Sequence, residues 1–267
     1  MAIFYLSVQT IRRAVGRSVT AAAAYRSGQK IYDERTQTTF DYRRRSGVVG
    51  IGLVGWSGTR EDLWNKAERS ERRKNSVVGR EIVVALPHEL SAESSERLVL
   101  KYCEWLHEKH GVAVDWAVHE PSDAGDHRNI HAHLLLTTRR VIDDQFGEKT
   151  RELDTKHTSS SSIEEWRKTW ARFCNVELML ADVETLMDHR SYERQAKASG
   201  GKVKLAQRHL GPQQTQMLRD GVMSSAALWN ITVANEESPA PQFASELSQL
   251  TPNSISSRQV LRRQMTR

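Results

Sequence analysis

Three histidines in this 267-residue chain are spaced to hold a metal ion: His131 and His133, with Ala132 between them, and His119 upstream. Strand side chains alternate with period two, so His131 and His133 share a face. Val112–Val118 and Ile130–Thr138 have strand composition, and the polar stretch Glu120–Asn129 between them is rich in turn formers. An antiparallel hairpin folded about Gly125 sets His119 opposite His131, with His133 one step along the same face. Three imidazoles on one face are a donor set for a divalent metal with coordination positions left open. The alternation gives one apolar face (Val112, Val114, Trp116, Val118, Ile130, Leu134, Leu136). The opposite face (Ala113, Asp115, Ala117, His119, His131, His133, Leu135, Thr137) is mostly small or polar, which leaves room for a ligand.

A second candidate is Tyr25, which follows four alanines in a predicted helix over Val19–Ser27 with Ser18 as its N-cap. The alanines are read as leaving the backbone open to an approaching polymer. A phenol is a poor nucleophile at its usual pKa of about 10. It becomes useful when its proton is removed and a nearby cation polarises the electrophile. Tyr32 lies seven residues on and shares the helical face if the helix passes Gly28. Packing is the alternative reading of Tyr25, because periodicity does not bring this helix to that hairpin.

The elements that must position these residues alternate between strand and helix. Residues 2–9 read as a strand with Phe4, Leu6 and Val8 on one side and Tyr5, Ser7 and Gln9 on the other. Residues 31–58 are polar and turn-rich and contain Arg43, Arg44 and Arg45. A charged helix follows from Glu61 to about Asn75, whose basic end (Arg69, Arg72, Arg73, Lys74) reads as a solvated face or a phosphate contact. Arg80–Leu86 reads as a central strand whose Ile82, Val84 and Leu86 face the helices, which turns Glu81 to the histidine face. There Glu81 is a candidate general base or a partner orienting a ligand. Ser91–Lys109 reads as an amphipathic helix and Asp143–Thr158 as a loop. A last long helix runs from Ser162 to about Asp182, with Trp166, Trp170 and Phe173 at core spacing. From about Ala234 the chain is rich in Ser, Gln, Pro and Thr and reads as a flexible tail. The pattern is α+β: an antiparallel sheet covered by helices.

Composition limits the function classes. The net charge of +6 favours an anionic partner. No apolar run approaches the roughly 18 residues needed to span a membrane, and no signal peptide opens the chain, so a cytoplasmic protein with no membrane insertion is expected. Cys103 and Cys174 lack metal-ligand spacing and read as reduced thiols.

Four motifs in order carry a family resemblance: Gly16-Arg17-Ser18-Val-Thr-Ala-Ala-Ala-Ala-Tyr25-Arg26-Ser27-Gly28, Arg80-Glu81-Ile-Val-Val-Ala-Leu-Pro87-His-Glu-Leu90, Arg128-Asn-Ile-His131-Ala-His133-Leu, and Asp188-His189-Arg190-Ser191-Tyr192 followed by His209-Leu210-Gly211-Pro212. Over roughly residues 1–215 the chain resembles plasmid mobilisation relaxases of the MobA/MobL type (the MobQ class), which include the N-terminal domains of TraA-like transfer proteins. The resemblance implies a five-stranded antiparallel palm covered by helices, the His-hydrophobic-His nuclease fold. It implies nicking of one strand of supercoiled plasmid DNA at the origin of transfer. Tyr25 then matches the nucleophile, and His119, His131 and His133 match the ligands of Mn2+ or Mg2+. Glu81 matches a carboxylate near the site, and Tyr32 an accessory tyrosine. Relaxosome accessory proteins and a type IV secretion coupling protein are implied as partners.

Beside that reading, Asp115 is a candidate to orient a ligand histidine, and Arg12, Arg13, Arg17, Arg26, Arg43, Arg44 and Arg45 are candidate phosphate contacts. His127 falls in the hairpin loop but off the spacing of the other three histidines. For Asp188, His189, Arg190 and His209 the expectation is hydrogen bonding in the core or at helix ends. The expected organisation is a relaxase domain over 1–215 and a helical extension with a tail over 216–267. Two alternatives stay open: a rolling-circle replication initiator or transposase of the same chemistry, and a non-catalytic DNA-binding autoregulator with structural zinc.

Overall fold

A computed structural model of the chain describes residues 4–121, 126–154, 156–201, 204–208 and 210–237. The described chain falls into two compact units, one ending at His189 and one beginning at Arg190.

The first unit is built on an antiparallel sheet. Its strands are β1 (Leu6–Arg12), β4 (Val48–Val54), β5 (Val77–Ala85), β6 (Val112–His119) and β7 (His131–Ile142), in the order β1-β5-β7-β6-β4. A short β8 (Gln145–Lys149) pairs with β7, where a loop was expected, and β2 (Lys30–Asp33) pairs with β3 (Thr38–Asp41) as a separate hairpin. Among the described residues its α-helices are α1 (Val19–Ser27), α2 (Arg60–Ser70), α3 (Ala92–His110) and α4 (Lys156–Leu180).

The two predicted faces of the sheet become two cores. Val112, Val114, Trp116, Val118, Leu134 and Leu136 are buried with Ile82, Val84 and Leu86 against α3 and α4, where Trp166 and Trp170 fill the interior. The buried thiols of Cys103 and Cys174 lie in the same core. On the opposite face Ala113 and Leu135 pack under α1 and α2 with Val19, Ala23, Ala24, Leu63 and Trp64. The second face is therefore roofed where α1 and α2 pack on it, while His131 and His133 at its end stay partly exposed.

Ala23 and Ala24 are fully buried in that roof. Their smallness brings the α1 backbone close to the sheet, which corrects the expectation that the alanines open a path to a polymer. Helix α1 is also pinned at its start. Ser18 Oγ accepts from Ala21 N at 3.3 Å and donates to the buried Asp33 at 2.6 Å, and Thr20 donates to the same carboxylate. Gly28, with φ of 62°, ends the helix in the left-handed region that a glycine tolerates. The helix consequently does not carry on to Tyr32.

Strand β4 escapes sequence reading because Gly50 and Gly52 resemble turn residues. In the fold they make room for the Trp116 ring. A Cβ at Gly52 would stand 2.6 Å from the indole, and Trp116 is buried in the core. Gly52→Ala is expected to lower unfolding free energy by about 1–3 kcal/mol, read as a shift of the denaturant midpoint.

In the second unit Ser191 caps α5 (Tyr192–Ser199), its Oγ accepting from Arg194 N at 3.3 Å. Helices α6 (Pro212–Arg219) and α7 (Ser225–Glu237) follow. The Arg208 guanidinium covers the Trp229 ring at 4.7 Å, and Trp229 Nε1 donates to Ala206 O at 2.8 Å. Ala234 falls within α7, while the tail expected from there lies outside the described residues beyond 237. Among the described residues no helix is long and apolar enough to cross a membrane.

Candidate metal centre and its tyrosine helix

The hairpin register pairs His119 with His131, and Ala117 with His133. The proposed pivot Gly125 lies outside the described residues. The three rings meet with centroids 4.8–5.4 Å apart, and one ring nitrogen from each lies within 4.8 Å of the others. His127 is exposed in the turn and does not join them.

Hydrogen bonding assigns the free nitrogen of each ring. His119 Nε2 donates to the carbonyl of Arg26 at 2.6 Å, His131 Nδ1 to the carbonyl of Asn129 at 3.0 Å, and His133 Nδ1 to Glu81 Oε1 at 2.7 Å. A carbonyl oxygen only accepts, so the proton sits on the nitrogen facing it, and an ionised carboxylate imposes the same choice. What remains is a lone pair on His119 Nδ1, His131 Nε2 and His133 Nε2. Metal-binding histidines are oriented in this manner, through the second ring nitrogen. Burial, reinforced by the other two histidines and Arg45, pulls His119 down to about 4 against its hydrogen bond to Arg26. Burial also lowers His131. Both are neutral at physiological pH, and the three-histidine donor set fits one divalent cation.

Glu81 stands on the histidine face of β5, fully buried, and is saturated with donors. Arg26 Nη2 reaches Oε2 at 2.6 Å while its Nε bonds Oε1, Gln9 Nε2 reaches Oε2 at 2.5 Å, and His133 takes Oε1. Burial alone would raise this carboxyl. The hydrogen bonds from His133 and Arg26, with the charge of Arg26, overcome it and hold Glu81 at about 2. Of its two expected roles, the geometry places Glu81 as the acceptor that orients His133 and leaves no oxygen free to act as a base.

Arg26 thus holds two of the three histidines at once, His119 through its carbonyl and His133 through Glu81. It follows Tyr25 directly, so the segment carrying the tyrosine is hydrogen-bonded to the three-histidine cluster. The Tyr25 ring is 47% exposed, stands edge-on to Tyr42 at 5.2 Å, and is covered by the Arg45 guanidinium 3.8 Å from its centroid.

Other expectations are corrected. Asp115 does not orient a histidine. It is buried and ion-paired with Arg60, Nε lying 2.8 and 2.9 Å from its two oxygens, and it accepts from Trp64 Nε1 at 2.7 Å. Arg60 also donates to Gln29 Oε1 at 2.6 Å, so this pair ties the end of α1 to the sheet. Tyr32 lies on β2, its hydroxyl donating to Gln37 at 2.6 Å, and not on the face of α1. Arg13 turns inward to Glu68, Nε to Oε2 at 2.8 Å, and donates to the Glu71 carbonyl, so it is unavailable to a phosphate. Arg26 is engaged by Glu81 as described. Arg12, Arg17, Arg43 and Arg44 are exposed, with Arg43 paired to Asp41 at 2.7 Å, and Arg45 is half-buried at the centre. His189 pairs with Glu164 of α4 at 3.2 Å and its carbonyl accepts from Arg167, a structural placement, while His209 lies outside the described residues. Sequence reasoning passed over Gln9 and Tyr42, although the alternation of β1 had set Gln9 on the correct face.

Comparison with known proteins agrees with this architecture. The chain is 36% identical over 241 residues to the mobilization protein MobL of Acidithiobacillus ferridurans, covering 79% of this chain and 62% of that protein. It is 33% identical over 228 residues to the conjugal transfer protein TraA of Rhizobium radiobacter, covering 73% of this chain and 20% of TraA. The chain therefore spans less than two thirds of the length of these relatives. A solved structure reported as "Molecular Basis of Vancomycin Resistance Transfer in Staphylococcus aureus" superposes with a TM-score of 0.62 at 29% identity, covering 72% of this chain and all of that one. The MobA/MobL family pattern matches residues 17–220, within which Tyr25, Glu81 and all three histidines fall, and the chain belongs to the MobA/MobL family.

Proposed function

We propose that this chain is a DNA relaxase that nicks one strand of plasmid DNA at an origin of transfer and later rejoins it. The observation that carries the reading is the hydrogen bond from His119 to the carbonyl of Arg26, which joins the metal centre to the helix bearing Tyr25.

The Tyr25 oxygen attacks the scissile phosphorus in line. The bond from phosphorus to the 3′-oxygen breaks, the 3′-oxygen leaves as a hydroxyl after taking a proton, and the 5′-phosphate stays on the tyrosine. The phenol proton departs to water, which reaches the half-exposed ring. Attack by a 3′-hydroxyl on the phosphotyrosine reverses each bond change, so rejoining needs no added energy source. His119, His131 and His133 would hold Mn2+ or Mg2+, which when bound would supply positive charge to offset the charge growing on the phosphate. Glu81 and Arg26 keep the ligand rings in register. Arg12, Arg17, Arg43 and Arg44 supply exposed charge for the DNA backbone, so binding weakens as salt rises.

The proposed relaxase domain over 1–215, with 216–267 as its extension, takes in nearly all of the family match over 17–220. Relaxosome accessory proteins and a type IV secretion coupling protein belong to the proposal as partners.

The test is incubation of the protein with transfer-origin oligonucleotides from plasmids that encode MobA/MobL proteins, and with replication-origin oligonucleotides beside them, in Mn2+ or Mg2+, followed by denaturing electrophoresis. A metal-dependent protein–DNA adduct blocked by a chelator is expected. Metal binding without nicking of any origin would favour a structural zinc site in a DNA-binding regulator. Nicking confined to replication origins would favour an initiator.

A further inference from the structure

Arg45 touches both halves of the site. It ends the turn after β3, its backbone N–H donating to Tyr42 O at 2.9 Å. Its guanidinium lies over the Tyr25 ring, Nη1 donates to the Tyr25 carbonyl at 2.6 Å, and Nη2 reaches His119 Nδ1 at 3.5 Å. The group is thus anchored on Tyr25 and meets His119 at the limit of hydrogen bonding. Arg13, Arg26 and Arg60 each grip a buried carboxylate. Among the described residues Arg45 has no carboxylate partner. An unneutralised positive charge therefore points at the one nitrogen that His119 has left for a cation. The guanidinium and a dication cannot share that lone pair, and at such separations they repel.

Resting on the tyrosine-and-metal reading above, we propose that Arg45 is a catalytic residue that exchanges His119 for the scissile phosphate. In the metal-free protein its Nη2 lies at the edge of hydrogen-bond reach of His119 Nδ1. When the centre is loaded it gives up that lone pair and, still held by the ring and carbonyl of Tyr25, turns its paired N–H groups to the phosphate under attack. A guanidinium fork matches two phosphate oxygens. The consequence is coupling: a phosphate that draws off Arg45 strengthens cation binding, and the cation strengthens phosphate binding by the same factor.

The test is calorimetric titration of the full, metal-stripped chain with Mn2+ and no DNA, comparing wild type with Arg45→Gln, Arg45→Ala and Arg45→Lys. Both neutral variants are expected to bind Mn2+ about tenfold tighter than wild type, and the lysine variant, which keeps the charge, within about threefold of it. Their adduct formation is expected to be slower than wild type despite the tighter metal. Unchanged or weaker Mn2+ binding by the neutral variants, at wild-type melting temperature, would overturn the role of Arg45. So would an equal gain in the lysine variant. If one neutral variant fails to fold, the other decides. No Mn2+ binding by the wild type would instead overturn the metal reading itself, and this inference with it.

Discussion

Tyr25→Phe is expected to abolish the covalent protein–DNA adduct and to slow nicking by about four orders of magnitude or more, the scale on which loss of a nucleophile is felt. The fold should not notice. Tyr25 is about half exposed, and among the described residues nothing hydrogen-bonds its hydroxyl. The contacts with Tyr42 and Arg45 are made by the ring, which phenylalanine keeps. Unfolding free energy should therefore stay within about 0.5 kcal/mol of wild type, and non-covalent DNA affinity within about threefold. Denaturing gels, urea melts and filter binding check the three parts separately. Tyr32→Phe is the control: bonded to Gln37 on a separate hairpin, Tyr32 should be dispensable for the adduct.

The second large effect is expected from Arg26→Met. The methionine keeps much of the aliphatic stem but leaves Glu81 buried without its counter-charge. Breaking a buried pair from one side costs about 3–5 kcal/mol, and the lower end is appropriate because Arg26 itself is 18% exposed. His133 loses the fixed acceptor behind it, so Mn2+ affinity should fall by about 10- to 100-fold. Arg26 is a positioning residue, and pH separates that role from a general loss of packing. The Glu81 carboxyl is held at about 2, well below its ordinary value. A depressed carboxyl contributes stability that is present above its unfolded pKa and is lost as pH falls through the folded one. The stability gap between wild type and variant should thus be widest at neutral pH and narrow as pH drops from about 4 toward 2. A gap independent of pH would point to lost packing instead. Glu81→Gln should weaken Mn2+ in the same direction, since it removes the charge that His133 and Arg26 share.

Much of the site was legible because the hairpin obeys strand alternation. His119 opposite His131, the apolar face beneath, and Glu81 on the histidine side of β5 all follow from period two plus one buried face. Alternation does not report what covers the other face. Asp115 shares that face with His119, yet it meets Arg60 from a helix 55 residues earlier in the chain. Arg13 and Arg26 show the same limit: composition does not distinguish a guanidinium in solvent from one that grips a buried carboxylate. Tyr32 was tied to Tyr25 by helical spacing that Gly28 interrupts. Strand β4 was hidden by glycines whose reason is a tryptophan more than 60 residues away in sequence. The roof of α1 and α2 over the sheet, which brings tyrosine and histidines together, is a long-range fact. Only the order of motifs had pointed to it.

The central claim is that the tyrosine beside the three-histidine centre takes the DNA phosphate. Tandem mass spectrometry of the wild-type adduct, after nuclease trimming to a short 5′-phosphonucleotide, tests it most directly. The account predicts the modification on the peptide containing Tyr25, formed only with divalent metal. A nucleotide carried by Tyr32, Tyr42 or any other residue, or adduct yield undiminished when His119, His131 and His133 are replaced together, would contradict it.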